Sequence, residues 1–273
     1  MADIPSDRLA AMDGARPRPG LSKRTVKSLL TVGSIAAFFA LWLLGTWALG
    51  PRLLPDPLAV LQFMVAETRS GELPYHLGAT LARVVAAFVL AMSIGTAIGL
   101  LMGRSKLADT ILEPWLIFLL NAPALIVIVL AYIWIGLTES AAILAVAINK
   151  IPNVTVTIRE GARALDPSYQ EMARVYRFSR TKVLRDVVLP QLQPFIAAAA
   201  RSGIALIWKI VLVVELLGRS NGVGFQIHLY FQMFDVKAIL GYTLAFVIVM
   251  LLVEFLAVQP LEARANRWRP KPA

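Results

Sequence analysis

Six residues of types that carry chemistry sit inside otherwise apolar stretches: Asn121, Asn149, Lys150, Trp208, Lys209 and Glu215. Charge within an apolar run is a functional candidate by default. Lys209, with Trp208 beside it, could line a path through the protein, and a cation there suits an anionic solute. Lys209 and Glu215 stand six positions apart and so do not share a helix face. Glu215 and Arg83 each lie near the end of an apolar run, where snorkelling or pairing between helices accounts for them. Asn121-Ala122-Pro123 and Asn149-Lys150-Ile151-Pro152-Asn153 read as kinks, broken helices lining a path, or early helix ends. His76 and His228 stand isolated in loops with no ligand set around them, and with no cysteine in the chain no thiolate metal site is available. The glycine-rich run Gly218 to Gly224 lacks the lysine of a phosphate-cradling loop, and no Gly-x4-Gly-Lys-Ser/Thr occurs. No paired carboxylates stand out either. Any nucleotide chemistry must belong to a partner, so no cofactor is expected on this chain.

The elements that position these residues follow from hydropathy. The 273 residues are 58% hydrophobic and 16% charged, with a mean hydropathy of +0.69. That is too apolar for an ordinary soluble domain. A hydrocarbon core about 30 Å thick needs roughly 20 helical residues. Runs of that order fall at 29–49, 80–102, 114–136, 139–158, 194–217 and 238–258. Gly95, Gly99 and Gly103 repeat at a spacing of four, which lets helix backbones approach closely. The 139–158 run is the most polar and should face protein or water rather than lipid. The expected fold is therefore an all-α bundle of about six transmembrane helices. It occupies 29–258, between a polar N-terminal tail (1–28) and a basic C-terminal tail (259–273). The tail does not begin with a charged n-region and apolar h-region, so no cleavable signal peptide is expected.

The net charge of +10 follows the same layout. Lysine and arginine concentrate in both tails, in 103–113 and in 159–193, while the alternate loops hold only Arg52, Arg69, Arg219 and Lys237. This asymmetry places both termini and the 159–193 segment in the cytoplasm. It also removes the need to invoke nucleic acid as a partner.

The 159–193 segment is long for a link within a bundle and is patterned. Asp166-Pro167 makes a helix start, a capping carboxylate followed by proline, and Ser168 to Glu171 also fits a capping box. Tyr169, Met172, Val175, Tyr176 and Ser179 then form one largely apolar face, with Arg174 and Arg177 pointing elsewhere. Glu171 could be only the acid of that capping box or a contact to a partner. The apolar stripe could rest in a partner's groove or on the membrane surface.

Glu171-Met172-Ala173, then Arg177, then Val187-Val188-Leu189-Pro190 resembles the EAA loop of ABC importer permeases. That family's pattern is Glu-Ala-Ala, three residues, Gly, nine residues and Ile-x-Leu-Pro. The spacing matches without a gap. Met172 replaces an alanine, Val187 an isoleucine, and Arg177 the glycine that permits a turn between two short helices. Either Arg177 adopts that turn's geometry or the helices are joined differently. Trp134-Ile135-Gly136 with Glu139, the segment Glu215 to Gly224, and Leu261-Glu262 through Arg267-Trp268 are similar to stretches of the nitrate/sulfonate/taurine/bicarbonate-type permeases. The similarity covers roughly 75–269.

The resemblance implies an importer subunit in the bacterial inner membrane. It would work with a second copy of itself, two ATPase subunits that bind ATP and magnesium, and a periplasmic or lipid-anchored substrate-binding protein. It implies that Tyr169, Glu171, Met172, Ala173, Arg174, Tyr176, Arg177, Leu189 and Pro190 belong to the contact with the ATPase. Small anions such as sulfonates, taurine or nitrate are the implied solutes. A stand-alone secondary transporter would show inverted repeats, and a membrane enzyme would show clustered catalytic groups at one face. The chain displays neither pattern.

Overall fold

The computed structural model describes residues 23–260, all helix and connecting turns with no strand among them. The tails beyond, with most of their basic residues and the Leu261 to Trp268 segment, lie outside the described residues. Two compact units are present, one up to Pro57 and one from Leu58. The first holds α1 (Lys23–Leu49), which ends at Gly50 in a left-handed turn (φ 82°). There the Trp42 indole N–H donates to the Pro55 carbonyl at 2.9 Å. Its apolar side chains from Leu30 onward are largely exposed, as a helix in lipid would leave them.

The second unit runs α2 (Pro57–Ser70), α3 (Glu72–Arg104), α4 (Lys106–Asn121), α5 (Ala124–Ile135), α6 (Glu139–Arg163), α7 (Pro167–Val175), α8 (Arg180–Val183), α9 (Leu189–Gly218), α10 (Val223–Gln232) and α11 (Val236–Val253). Among the described residues five helical segments are long and apolar enough to cross a membrane, or six when α4 and α5 count as one broken span. The expected 114–136 span is that pair. Asn121-Ala122-Pro123 bends it by 99°, because a residue before proline is driven out of the helical region. Several helices start earlier or end later than hydropathy suggests. α3 begins eight residues sooner and α6 continues five residues longer than expected. Their polar ends protrude beyond the apolar window while keeping helical hydrogen bonds.

The most polar span, α6, is the most buried, as a helix that cannot face lipid must be. The glycine ladder of α3 packs on it. A Cβ at Gly95 would lie 2.7 Å from the Cβ of Val154, and one at Gly99 only 2.6 Å from the Thr155 carbonyl oxygen. Only glycine permits that backbone approach.

Two π-helical turns interrupt the long helices, at Leu184–Val188 and Glu254–Val258. Each precedes a proline by two residues, Pro190 and Pro260. Proline lacks the N–H and crowds the carbonyl four residues back, so the wider turn accommodates it. The first π-turn joins α8 to α9 and leaves Arg180–Gly218 as one continuous element.

Candidate functional site

The 159–193 segment forms less loop than its length suggests. α6 runs through Arg163, Leu165 tucks into an apolar cluster with Ala162, Val188 and Leu192, and α7 follows. The N-cap of α7 is Asp166, whose carboxylate accepts from the Ser168 N–H at 2.8 Å. That hydrogen bond holds the Asp166 carboxyl below the usual carboxylate range. The capping-box role considered for Glu171 is therefore displaced: the cap lies two residues before Ser168, and Glu171 is exposed. The Asp166 N–H donates to the side-chain oxygen of Gln191 at 3.0 Å, while Gln191 donates to the Val187 carbonyl. The start of α7 is thus stapled to the start of α9.

The end of α7 resolves the question posed by Arg177. Its φ is +50°, the left-handed conformation that favours glycine. Phe178 N–H donates to the Ala173 carbonyl at 2.9 Å and Arg177 N–H to the Arg174 carbonyl at 3.0 Å. These two bonds are the Schellman pair that closes a helix on a left-handed residue. The turn the family's glycine would make is present with arginine in its place.

The face of α7 divides cleanly. Ala173 is buried (2% exposed) against its own chain, so it is not a surface contact. Val175 and Tyr176 are 78% and 70% exposed. Tyr169, Glu171, Met172, Arg174 and Arg177 are also exposed, as are Leu189 and Pro190 at the start of α9. Between α7 and α9 lies an open groove of about 670 Å³, with Tyr169, Met172, Pro190 and Pro194 in its lining.

Charged side chains converge at both ends of α6. At its N-terminal end, Arg83 of α3 bonds Glu139 at 2.6 Å, Glu215 at 2.7 Å and the Asn221 carbonyl at 2.9 Å, with a further bond to the Asn221 side chain. Glu215 is completely buried and also accepts from Thr80 at 3.0 Å and from the Gly224 N–H at 2.8 Å. Arg219 adds a bond to Glu139 at 2.6 Å. His76, expected in a loop, lies in α3. Its ring accepts from the Gly222 N–H at 3.0 Å and meets Gln226 at 2.6 Å. His228 lies in α10 rather than in a loop. At the C-terminal end of α6, Arg159 forms an ion pair with Asp109 at 2.5 Å and donates to Glu113 at 2.9 Å, and Arg163 donates to Asp109 at 2.5 Å.

The intramembrane candidates therefore separate. Glu215 does not face a path, because Arg83, Thr80 and Gly224 consume its carboxylate. Trp208 is buried with its ring against Phe246 at 5.3 Å and faces the interior of this chain, not an open path. Lys150 is buried and Asn149 half-buried, its amide donating to the Ala145 carbonyl at 2.8 Å. Lys209 and Asn121 are exposed.

Sequence reasoning missed His76 and Thr80, and the whole ionic lattice of Asp109, Glu113, Arg159 and Arg163. The signal was there: His76, Thr80 and Arg83 recur at i, i+4, i+7, and Asp109/Glu113 and Arg159/Arg163 are two i,i+4 pairs of opposite sign. Gly218 to Gly222 spells Gly-x-Ser-x-Gly, but it follows a helix instead of the strand a nucleophile elbow requires. No cluster able to hold a metal occurs among the described residues.

Residues 95–259 match the family described as "Binding-protein-dependent transport system inner membrane component". A putative aliphatic sulfonates transport permease of Bacillus subtilis is 30% identical over 260 residues, covering 94% of this chain and 93% of that protein. A bicarbonate transport system permease of Synechococcus elongatus is 30% identical over 234 residues, with 79% and 82% covered. The taurine transport permease of Escherichia coli is 26% identical over 250 residues, with 88% and 89% covered. Among solved structures, an amino acid ABC transporter crystallised with histidines superimposes with a TM-score of 0.59 at 21% identity, covering 74% of this chain and 98% of that one. An inward-facing methionine ABC transporter gives 0.61 at 17% identity, with 72% and 98% covered.

Proposed function

The chain belongs to the family of binding-protein-dependent transport system inner membrane components, and on that premise we propose that it moves a small oxyanion and couples that movement to ATP hydrolysis on separate subunits. It is an ABC importer permease and not itself an enzyme. In the proposed assembly two copies form the path, two ATPase subunits bind α7 from the cytoplasm with ATP and magnesium, and a binding protein delivers the solute at the opposite face. Both termini are then cytoplasmic. The relatives named for sulfonate and bicarbonate transport support an oxyanion; taurine, in a third relative's name, joins a sulfonate to an ammonium.

One observation carries the coupling role: a nine-residue helix, capped at both ends, keeps Met172, Val175 and Tyr176 exposed between two spans. A helix with an open apolar face is the form that seats in a partner's groove. Tyr169, Glu171, Arg174 and Arg177 surround that face and would make the polar contacts. Leu189 and Pro190 would flank it, while Ala173 supports it from beneath. Leu165, Val188 and the Gln191 staple tie α7 to α6 and α9, so a displacement of α7 is passed to both. The path residues proposed from sequence reduce to Asn121, Asn149, Lys150 and Lys209.

The test is co-purification of the chain with its ATPase subunit, together with solute-stimulated ATP hydrolysis, for Val175→Glu/Tyr176→Glu and for Glu171→Ala. The double variant should lose both properties while its thermal unfolding in detergent stays unchanged. Assembly and stimulated hydrolysis that survive in the double variant would sink the coupling role.

A further inference from the structure

The two ionic lattices measure the membrane. Glu139 of the first and Arg159 of the second are twenty residues apart on α6, about 30 Å at the helical rise. That is the thickness of a hydrocarbon core, so the lattices mark its two boundaries. Between them, α6 and α9 each carry one lysine. Lys150 lies eleven residues below Glu139, about 16 Å, and Lys209 six residues below Glu215, about 9 Å. Carboxylates on α3, α6, α9 and the α11 extension are confined to Glu72, Glu139, Glu160, Glu215 and Glu254, all near span ends. Glu254 reaches Arg201 of α9 at 3.8 Å, two residues before Gly203, so the cationic, acid-free stretch is α9 from Gly203 to Lys209 with the part of α6 that carries Lys150.

The two lysines are held differently. Lys150 is 1% exposed, and none of the ion pairs among the described residues includes it. Its stem crosses α9 at Gly203, where a Cβ would meet Lys150 Cε at 3.1 Å and Phe88 at 3.6 Å. The glycine is the seat of the lysine. An ammonium buried without a counter-ion is strongly disfavoured, so the charged form of Lys150 calls for an anionic partner. Lys209 is exposed on the face of α9 that also exposes Ser202 and Ala205. A lysine at that depth faces a water-filled cavity or protein, not lipid.

We infer that Lys209 lines the translocation path and that Lys150, seated behind it at Gly203, completes an electrostatic filter for small oxyanions that carry no positive group. This rests on the reading of the chain as an oxyanion importer and narrows it. A zwitterion brings its ammonium past two lysines, with no carboxylate between Glu215 and the Arg201–Glu254 pair to offset them, and specificity by repulsion follows.

The chain has no cysteine, so Ala205→Cys, one turn from Lys209, gives a single reporter thiol. The full chain in proteoliposomes is labelled from both sides with two methanethiosulfonates, the 2-sulfonatoethyl anion and the 2-(trimethylammonium)ethyl cation. Each rate is divided by that reagent's rate with a free thiol. The anionic reagent should be favoured on the order of tenfold, the lower end for a charged cleft. Lys209→Met should abolish the preference and Lys150→Met should reduce it, while Lys209→Arg retains it. Ethanesulfonate in excess should slow labelling and taurine should not. No reaction with either reagent, equal normalised rates, or a preference indifferent to both lysines each overturns the filter. Equal protection by ethanesulfonate and taurine, or protection by neither, overturns the exclusion of zwitterions. The readout needs no ATPase, so anion-selective labelling in a chain that fails to pair with an ATPase would leave the filter standing and remove the importer reading.

Discussion

Arg177 occupies a position where the backbone asks for glycine, and the cost is measurable. At φ +50° an L side chain carries roughly 1–2 kcal/mol of left-handed strain. Glycine removes that strain but adds conformational freedom to the unfolded chain, which offsets about 0.4–1 kcal/mol. The net gain for Arg177→Gly is thus about 1 kcal/mol, confined to the end of α7. A change of that size slows local opening roughly fivefold. Hydrogen exchange of the Phe178 amide reports it directly, because that N–H closes the turn on the Ala173 carbonyl. Arg177→Ala provides the control, since alanine retains the Cβ and therefore the strain. The expected order of protection is Gly above Arg, with Ala close to Arg. If Ala and Gly slow exchange equally, backbone strain is not the cause. If Gly accelerates exchange, the guanidinium holds the turn through its cavity with Arg104, Gln170 and Arg174, and the reasoning fails.

Other outcomes follow from the packing and the lattices. Gly99→Ala forces a Cβ to 2.6 Å from the Thr155 carbonyl and should cost about 1–3 kcal/mol by overpacking, offset by about 1 kcal/mol of helix propensity; a lower thermal midpoint in detergent checks it, and a rise refutes it. Glu215→Ala leaves Arg83 with one buried counter-ion fewer and should cost about 3–5 kcal/mol, read in the same melt. For Asp166 the folded carboxyl titrates below its unfolded value. Its contribution is therefore present above the ordinary aspartate range and is lost as pH falls through the lower, folded value. Exchange of the Ser168 amide, corrected for intrinsic rates, should rise over that interval, and Asp166→Asn should flatten the dependence.

The apolar spans, the glycine seam and the α7 start were legible because each rests on a local or periodic signal. The spans need only a count of consecutive apolar residues, and Gly95, Gly99 and Gly103 need only their spacing. Asp166-Pro167 announces a helix start without reference to the rest of the chain. What escaped was long-range. His76 looked like a loop residue because hydropathy ends the span near residue 80, whereas α3 continues to Glu72 to reach the Gly222 turn. Glu215 was conspicuous as a carboxylate in an apolar run, open to a path role or to pairing between helices, and the structure shows the pairing, with Arg83; which groups surround it was not legible. Its partners, Thr80, Arg83 and Gly224, include two that lie more than 130 positions away in the chain. Arg177 looked like a broken motif because the side chain was read alone, whereas its backbone takes the left-handed turn that glycine favours.

The placement of the two lattices also bears on how a push at α7 could reach the proposed filter. One lattice binds Asp109 and Glu113 of α4 to Arg159 and Arg163 of α6, within a few residues of the Leu165 cluster that anchors α7. The opposite lattice fixes α3, α6 and α9 to one another through Arg83, Glu139 and Glu215. A helix held at one end and pushed at the other tilts about the held end, so the middle moves by about half the displacement of the driven end. Lys150 lies near that midpoint on α6, and its stem crosses α9 at Gly203, which has no side chain. Relative motion of α6 and α9 therefore acts on Lys150 before it disturbs the apolar packing around it. Gly203→Ala narrows that crossing. It should impair solute-stimulated hydrolysis while ATPase co-purification is retained, a separation that Val175→Glu/Tyr176→Glu cannot produce. If both properties fall together in Gly203→Ala, the crossing is structural and the lysine is not the element through which the two helices communicate.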